Sequence, residues 1–229
     1  MTVAGTGPDG ATGVRAGDQR RTDRTARHVA LGLLVGFLAL AALVVLRWSP
    51  LMGADLRTDV ALHAVMLRDS SLQTATVLVT NAGSPVSVNV ITALVAGGLL
   101  LRRRIGAAVF LVSARLVELG AETAAKHLVA RPRPILPDPI GHASSFSFPS
   151  GHTAGTAVLC TALLVLALPS CRRRAPWIAL ATVAITAVAA SRVLLGVHYP
   201  SDVLGGALLG VACALILRPL LTVVRAPRT

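Results

Sequence analysis

Residues 29–46 read VALGLLVGFLALAALVVL, a run with no charged or hydrogen-bonding side chain. The hydrocarbon core of a bilayer is about 30 Å thick, and a helix of about 20 apolar residues crosses it. This stretch therefore predicts a transmembrane helix, with Arg47 and Trp48 at the membrane interface. No cleavage site of small residues follows it, so a signal peptide is not indicated.

Similar stretches recur through the chain, whose 229 residues are 54% hydrophobic and 14% charged, with a mean hydropathy of +0.70. The predicted fold class is all-α, a polytopic membrane protein with six transmembrane helices in one domain at residues 28–224. Residues 1–27 are rich in Gly, Thr and Arg and are predicted to be a disordered cytoplasmic tail. The six predicted spans are 29–46, 86–101, 105–129, 151–168, 177–195 and 203–217.

The net charge of +12 could indicate nucleic-acid binding. The arginines, however, lie between apolar segments, which favours contact with membrane lipids and excludes a nucleic-acid partner. Clusters occur before the first span, at 102–104, at 172–174 and after the sixth span. Six alternating helices place all of these clusters on one side, which the positive-inside rule makes cytoplasmic. Both termini are then cytoplasmic in a multi-pass protein of the cell membrane.

The connections 49–83, 130–149 and 196–202 fall on the extracytoplasmic side in this arrangement. Residues 54–83 alternate polar and apolar side chains and predict one or two amphipathic helices lying on the membrane. Asp55 and Asp59 resemble a metal pair, but we expect exposed acids on a surface helix. The loop 130–149 is rich in proline and cannot be regular helix or sheet.

Three polar motifs lie on this outer side: Lys126-x6-Arg133-Pro134, Pro149-Ser150-Gly151-His152, and Ser191-Arg192-x5-His198-x3-Asp202. Arginine offers paired donors to phosphate oxygens, lysine adds a point charge, and a helix N-terminus adds free N–H groups. Lys126 is the single lysine in the chain. This combination suits a phosphoryl group.

The two histidines of these motifs differ in their neighbours. Asp202 lies four residues after His198, so its carboxylate can accept from one imidazole nitrogen and leave the other free to attack phosphorus. His152 has no carboxylate at such spacing and can serve as a general acid for the leaving alcohol. The outer carboxylates are too few and scattered for paired metal ions, so neither a metal nor a cofactor is predicted.

In this order, the three motifs resemble the signature of the type 2 phosphatidic acid phosphatase (PAP2) superfamily, K-x6-RP, PSGH and SR-x5-H-x3-D. The resemblance implies a PAP2/haloperoxidase-like helical bundle in which His198 is the phosphorylated nucleophile, Asp202 its orienting carboxylate and His152 the acid and base. It also implies independence from divalent cations. The phosphate-binding residues it implies are Lys126, Arg133, Ser150, Gly151 and Arg192.

Structural roles compete with these assignments. The histidines could cap helices at the interface, and Asp202 is also a suitable N-cap for the sixth span. His28, His63, His127 and His142 are expected to be interfacial or solvated. A stripe on the third span is formed by Arg115, Glu118, Glu122 and Lys126. We favour a structural ion-pair ladder that faces the bundle interior and positions Lys126 over direct contact with a lipid head group.

The predicted function is hydrolysis of a lipid phosphate or diphosphate monoester through a phosphohistidine intermediate at the extracytoplasmic face. The alternative is a lipid phosphotransferase that uses the same intermediate. Candidate substrates include phosphatidate, phosphatidylglycerol phosphate and isoprenoid diphosphates such as undecaprenyl diphosphate. A vanadium haloperoxidase and a non-enzymatic transporter or scaffold fit less well, because the first class is soluble and the second has no need of a nucleophile–carboxylate pair.

Overall fold

The computed structural model describes residues 9–137, 140–141 and 144–223, and these residues form helices and no β-strand. Every predicted span corresponds to a helix. In chain order the helices are α1 (Asp9–Val45), α2 (Ser49–Met66), α3 (Ser70–Ala82), α4 (Pro85–Leu101), α5 (Ile105–Val129), α6 (Gly151–Ala167), α7 (Ala175–Leu194), α8 (Pro200–Ile216) and the short α9 (Leu220–Val223).

The N-terminal segment differs from the prediction of a disordered tail. Residues 9–27 continue α1 toward the N-terminus, so this helix has 37 residues. At about 1.5 Å per residue, such a helix is longer than the thickness of a bilayer. The disorder prediction was therefore wrong for residues 9–27, and residues 1–8 lie outside the described part of the chain.

Length and composition identify two of the described helices as able to cross a membrane, the Thr22–Val45 part of α1 and the whole of α7. α3 and α4 would add a third span if taken together, with a bend of 43° between them. α6 and α8 are apolar but shorter, at 17 residues each. α5 carries the Arg115 to Lys126 stripe within its 25 residues.

Local sequence accounts for several helix boundaries. Asp69 caps α3 by accepting from the N–H groups of Ser71 and Leu72, at 2.9 and 3.0 Å. Ser84 caps α4, with proline at the first helical position, where its missing N–H costs nothing. α5 ends at Val129, and the next residue, Ala130, closes the helix in a left-handed conformation before the proline-rich loop.

The packing centre of the molecule lies between α6 and α8. Gly206 and Gly210 let the two backbones approach closely, because a Cβ on Gly206 would lie 2.5 Å from the carbonyl oxygen of Ser150. Around this contact α1, α4 and α5 contribute apolar side chains. Phe148, in the loop before α6, is fully buried and stacks on Phe37 of α1 with ring centroids 5.7 Å apart.

Residues 49–83 form α2 and α3, in keeping with the one or two helices predicted for residues 54–83, but the acids Asp55 and Asp59 are not exposed. Asp55 is 2% exposed and Asp59 is 0% exposed. His63, expected at an interface or in solvent, is buried and makes a 2.7 Å hydrogen bond from Nε2 to the carbonyl oxygen of Pro137. α2 therefore turns this polar side toward the protein, where the loop 130–149 and the start of α8 supply partners for Asp55 and His63. Both carboxylate oxygens of Asp59 have no hydrogen-bond partner among the described residues.

Candidate active site

The three predicted motifs meet at one end of the bundle. Lys126 lies in the last turn of α5, His152 in the first turn of α6 and Arg192 in the last turn of α7. His198 is in the short connection between α7 and α8, and Asp202 is in the first turn of α8. The loop 130–149 lies across these helix ends.

His198 and Asp202 are both almost completely buried and face each other. Nδ1 of His198 lies 3.5 Å from Oδ2 of Asp202. The same carboxylate oxygen accepts from the backbone N–H of Tyr199 at 2.9 Å, which completes a capping box at the start of α8. The N-cap of α8 is Tyr199, and Asp202 is the third residue of the helix, so the expectation of Asp202 as the N-cap was wrong. Its carboxylate faces both the N–H of that N-cap residue and the imidazole of His198.

Ser147 joins this pair and was not singled out by the sequence. The buried hydroxyl of Ser147 donates to Oδ2 of Asp202 in a short hydrogen bond. The hydroxyl oxygen, Oγ of Ser147, also lies 3.5 Å from Nδ1 of His198. The Nδ1 proton of His198 therefore faces two acceptors. Both 3.5 Å distances to Nδ1 are long for hydrogen bonds.

The other nitrogen of His198 faces Arg133. Nη1 of Arg133 lies 3.0 Å from Nε2 of His198, and a guanidinium can only donate. Nε2 therefore presents a lone pair, and we assign the proton to Nδ1 on this basis. Burial lowers the pKa of His198 to about 4, against the raising effect of Asp202. The imidazole is accordingly neutral near pH 7 and has the form of a nucleophile.

Arg133 is held in place by the backbone around it. Its side chain donates to the carbonyl oxygens of Ser145 and Val197, both at 2.6 Å, and to the Ser145 hydroxyl at 3.1 Å. These contacts come from the loop 130–149 and from the residue before His198. They keep the guanidinium beside Nε2 of His198.

Lys126 is positioned by its own helix. Its Nζ lies 2.7 Å from Oε1 of Glu122 and 3.4 Å from the hydroxyl of Ser145. One turn earlier on the same buried face, Arg115 and Glu118 form another ion pair. The structural ladder predicted on the third span is confirmed by these contacts. A side chain at Gly151 would meet the Glu122 carboxylate directly, so glycine at this position lets α6 begin against α5.

Arg192 is 7% exposed, and its Nη1 donates to the hydroxyl of Thr80 on α3 at 2.7 Å. Its buried Nε has no hydrogen-bond partner among the described residues. His152 is partly exposed in the first turn of α6. Ser150 is fully buried and accepts from the Thr153 hydroxyl at 3.2 Å. Direct contacts thus connect His198, Asp202, Arg133 and, through Ser145, Lys126, whereas Ser150, Gly151, His152 and Arg192 lie at the adjoining ends of α6 and α7.

Arg131 is the largest omission from the sequence-based site. It is 6% exposed, and its Nη1 donates to Oδ1 of Asp202 at 2.6 Å while Nη2 donates to Oδ2 of Asp55 at 2.7 Å. The available signal was the repeated Arg-Pro in Arg131-Pro132-Arg133-Pro134. A repeated dipeptide does not reveal which arginine contacts which carboxylate.

The described histidines outside the motifs make no contact with His198 or Asp202. His28 and His127 are exposed, and His127 contacts the ring of Phe146 edge-on. His142 lies outside the described residues.

A cavity of about 300 Å³ opens beside Lys126 and Arg133 and is also lined by His127, Ser144, Ser145 and Phe146. Among the described residues, no group of three or more His, Cys, Asp or Glu is placed to hold a metal ion.

The sequence profile described as "PAP2 superfamily" matches residues 105–224, which is more than half of the chain. The chain belongs to the PAP2 superfamily. This PAP2 protein is 29% identical over 186 residues to phosphatidylglycerophosphatase B of Bacillus subtilis, a match that covers 79% of the chain and 89% of the relative.

A second relative is decaprenylphosphoryl-5-phosphoribose phosphatase of Mycobacterium tuberculosis, which is 40% identical over 94 residues. That match covers 40% of the PAP2 chain and 48% of the relative. These relatives are named as phosphatases, and the PAP2 chain is a membrane phosphatase, a phosphoric monoester hydrolase.

Solved structures share the fold. The crystal structure of a transmembrane PAP2-type phosphatidylglycerolphosphate phosphatase from Bacillus subtilis superposes with a TM-score of 0.76 at 26% identity, covering 87% of this PAP2 chain and 98% of that protein. Aquifex aeolicus LpxE superposes with a TM-score of 0.58 at 24% identity, covering 71% and 93% of the two chains. The second similarity concerns the fold alone.

Proposed function

We propose that this PAP2 protein hydrolyses a lipid phosphate or diphosphate monoester by way of a phosphohistidine on His198. One observation carries the proposal. The buried imidazole directs Nδ1 toward Asp202 and a lone pair on Nε2 toward Arg133, so a nucleophilic nitrogen and a phosphate-binding cation share one face.

The reaction proceeds in two steps. Nε2 of His198 attacks phosphorus, the bond from phosphorus to the leaving oxygen breaks, and His152 gives its proton to that oxygen. Water then attacks the phosphohistidine, His152 accepts a proton from the water, and the P–N bond breaks to release inorganic phosphate. Asp202 and Ser147 hold the Nδ1 proton throughout and stabilise the positive charge that develops on the ring.

Three cationic side chains are placed to bind different oxygens of the phosphate. Arg133 lies against Nε2, Lys126 is next to it through Ser145, and the orphan Nε of Arg192 offers a further donor. The first turn of α6, with Ser150 at its cap and Gly151 as its first residue, adds N–H groups and the positive end of the helix dipole. Fixed donors aimed at the transferring group stabilise its transition state.

A lipid substrate is supported by the membrane character of the chain and by its relatives. One relative is named for phosphatidylglycerophosphate and another for decaprenylphosphoryl-5-phosphoribose. Both substrates carry a phosphate monoester on a polar head that is attached to long apolar chains. The cavity beside Lys126 and Arg133 is of a size to receive part of such a head.

The proposed arrangement in the membrane has six spans within residues 28–224. They correspond to α1, α4, α5, α6, α7 and α8, with α2 and α3 as an extracytoplasmic pair. The arginine clusters then lie in the cytoplasm, and the site faces the outer leaflet. Independence from metal ions is part of the proposal, since the phosphate charge is met by arginine and lysine.

Phosphate release by purified protein in detergent tests the function. The panel contains phosphatidate, phosphatidylglycerol phosphate and a prenyl diphosphate, each with and without EDTA, and His198→Ala is the inactive control. We expect release from at least one lipid and no effect of EDTA. A strict magnesium requirement would overturn the mechanism. Transfer of phosphate to an added lipid alcohol in place of water would identify the phosphotransferase instead.

A further inference from the structure

The contact between α2 and the start of α8 is built from charged side chains that the mechanism above does not use. Asp55 accepts at Oδ1 from the backbone N–H of Ser201 at 3.0 Å, and its Oδ2 accepts from the Ser201 hydroxyl. Ser201 is in the first turn of α8, next to Asp202. A carboxylate from another helix therefore satisfies an N–H at the α8 N-terminus, in addition to the capping box.

Arg131 connects the two carboxylates. It donates from Nη1 to Oδ1 of Asp202 and from Nη2 to Oδ2 of Asp55, and its guanidinium lies 4.0 Å from the centre of the Tyr199 ring. Nη1 also donates to the Ser201 hydroxyl at 2.7 Å. All of these charged groups are at most 6% exposed. Both ends of the guanidinium fork are thus occupied inside the protein, which excludes Arg131 as a free phosphate ligand.

The contacts divide the two oxygens of Asp202 between different partners. Oδ1 accepts from Arg131, whereas Oδ2 faces His198, Ser147 and the N–H of Tyr199. Because Arg131 holds Oδ1, the carboxylate cannot rotate away from His198. Because Asp55 holds Arg131, the guanidinium cannot move toward the phosphate site.

We propose that Asp55 and Arg131 are positioning residues that fix the Asp202 carboxylate against His198 and balance its charge, so that the extracytoplasmic helix α2 is part of the catalytic apparatus. This inference rests on the proposed function. A buried ion pair alone is weak support for stability, because apolar replacements of similar volume are often tolerated. We infer that the Asp55–Arg131 ion pair serves to orient the carboxylate of Asp202.

The charges predict opposite effects of two neutralising substitutions on the pH profile. Arg131→Gln removes the positive charge that balances Asp202, the carboxylate that faces Nδ1 of His198, and so makes protonation of His198 easier. The acid limb of kcat/KM then moves to higher pH. Asp55→Asn removes a negative charge, so the acid limb moves to lower pH. The other charged or titratable groups around the dyad, which stay in place, are Arg133, Arg192, His152, Asp59 and Tyr199.

The experiment measures kcat, KM and the pH profile on an activated aryl phosphate, together with thermal midpoints. We expect each single variant to lose about 10- to 100-fold in kcat, the effect of a misplaced reacting group, with KM changed by less than about twofold. The double variant Asp55→Asn/Arg131→Gln should return the acid limb toward its original position but keep a low kcat. Arg131→Lys retains the charge but not the fork, so it should lower kcat without moving the limb.

Asp69→Ala is the matched control for loss of stability alone. Asp69 caps α3 in the same extracytoplasmic segment and is exposed. Its loss should lower the thermal midpoint and leave the kcat and pH profile of the folded protein unchanged. Single variants at Asp55 and Arg131 that behave like Asp69→Ala would overturn this inference alone. A wild-type protein inactive on aryl phosphate and on every lipid would overturn the proposed function as well.

Discussion

His198 and His152 lie in different surroundings, and the difference can be measured. His198 is buried between Asp202 and Arg133, whereas His152 is partly exposed at the start of α6. A nucleophile is needed for every substrate, but a general acid matters less when the leaving group needs no proton. The activities of the two alanine variants should therefore depend differently on the leaving group of the substrate.

We expect His198→Ala to abolish turnover of every substrate. His152→Ala should lower turnover of lipid phosphates by about 100- to 10,000-fold, the usual contribution of a general acid, and retain partial activity on an activated aryl phosphate. Phosphate release on both substrate types is the measurement. Acid-labile phosphate trapped on the wild-type protein supports the intermediate. Its absence, combined with activity of His198→Ala on the aryl phosphate, would indicate direct attack by water.

The depressed pKa of His198 predicts the acid side of the pH profile. Burial lowers this pKa from 6.5 to about 4, so the imidazole stays neutral well below its ordinary range. Activity that needs the neutral form should persist below pH 6.5 and fall only as the pH approaches the folded-state value. By linkage, keeping His198 neutral lowers the free energy of unfolding as the pH falls from 6.5 toward 4.

The measurement is kcat/KM on an aryl phosphate between pH 4 and pH 8, with the ionisation of the substrate titrated separately. Thermal midpoints over the same range check that the protein remains folded. An acid limb centred near pH 6.5, not explained by the substrate, would contradict the burial of a neutral imidazole.

At the scale of helices, the contact between α6 and α8 depends on glycine. A Cβ on Gly210 would meet the carbonyl oxygen of Ala154 directly and would lie 2.9 Å from the backbone nitrogen of Val158. Backbone atoms cannot rotate away as a flexible side chain can. The two helices would have to separate, and the separation would pass to the active site through Ser150 and Asp202, whose backbones are hydrogen-bonded at 3.0 Å.

We expect Gly210→Ala to lower the free energy of unfolding by about 1–3 kcal/mol, the usual cost of overpacking. Gly97→Ala is the matched control, because a Cβ at Gly97 has nothing within 4 Å. That variant should be neutral or slightly more stable, since alanine is the better helix former. Thermal midpoints in detergent provide the comparison, and equal midpoints for the two variants would contradict the close approach of α6 and α8.

Across the whole molecule, the arginine clusters predict the orientation in the membrane. A reporter fused after Arg104 or Arg173 should be cytoplasmic, and one inserted near Pro139 should be external. Activity on a substrate supplied from outside intact cells gives an independent measurement. The opposite reporter pattern would place the site at the inner leaflet and contradict the proposed topology. It would not contradict the proposed chemistry of the site.

The sequence alone determined the positions of most helices and the chemical composition of the site. Apolar runs and their breaks placed the core helices, because the backbone of an apolar segment in a bilayer must satisfy its hydrogen bonds internally. The three motifs identified the residues that meet at the bundle end, since each motif lies at a helix terminus and its internal spacing is local. Helix continuity at residues 9–27 was missed, because polar composition reports a lack of apolar surface rather than backbone conformation.

Only the tertiary structure decided which side of α2 is buried and what Asp202 contacts. Arg131 and Asp55 are 76 positions apart in the chain, and no local pattern announces an ion pair across that distance. A charged residue on an amphipathic helix looks solvated until its partner is known, since burial of a carboxylate becomes tolerable only when a cation and hydrogen bonds reach it. The partners of Asp55 are Arg131 in the loop 130–149 and Ser201 at the start of α8, and only folding brings them next to it.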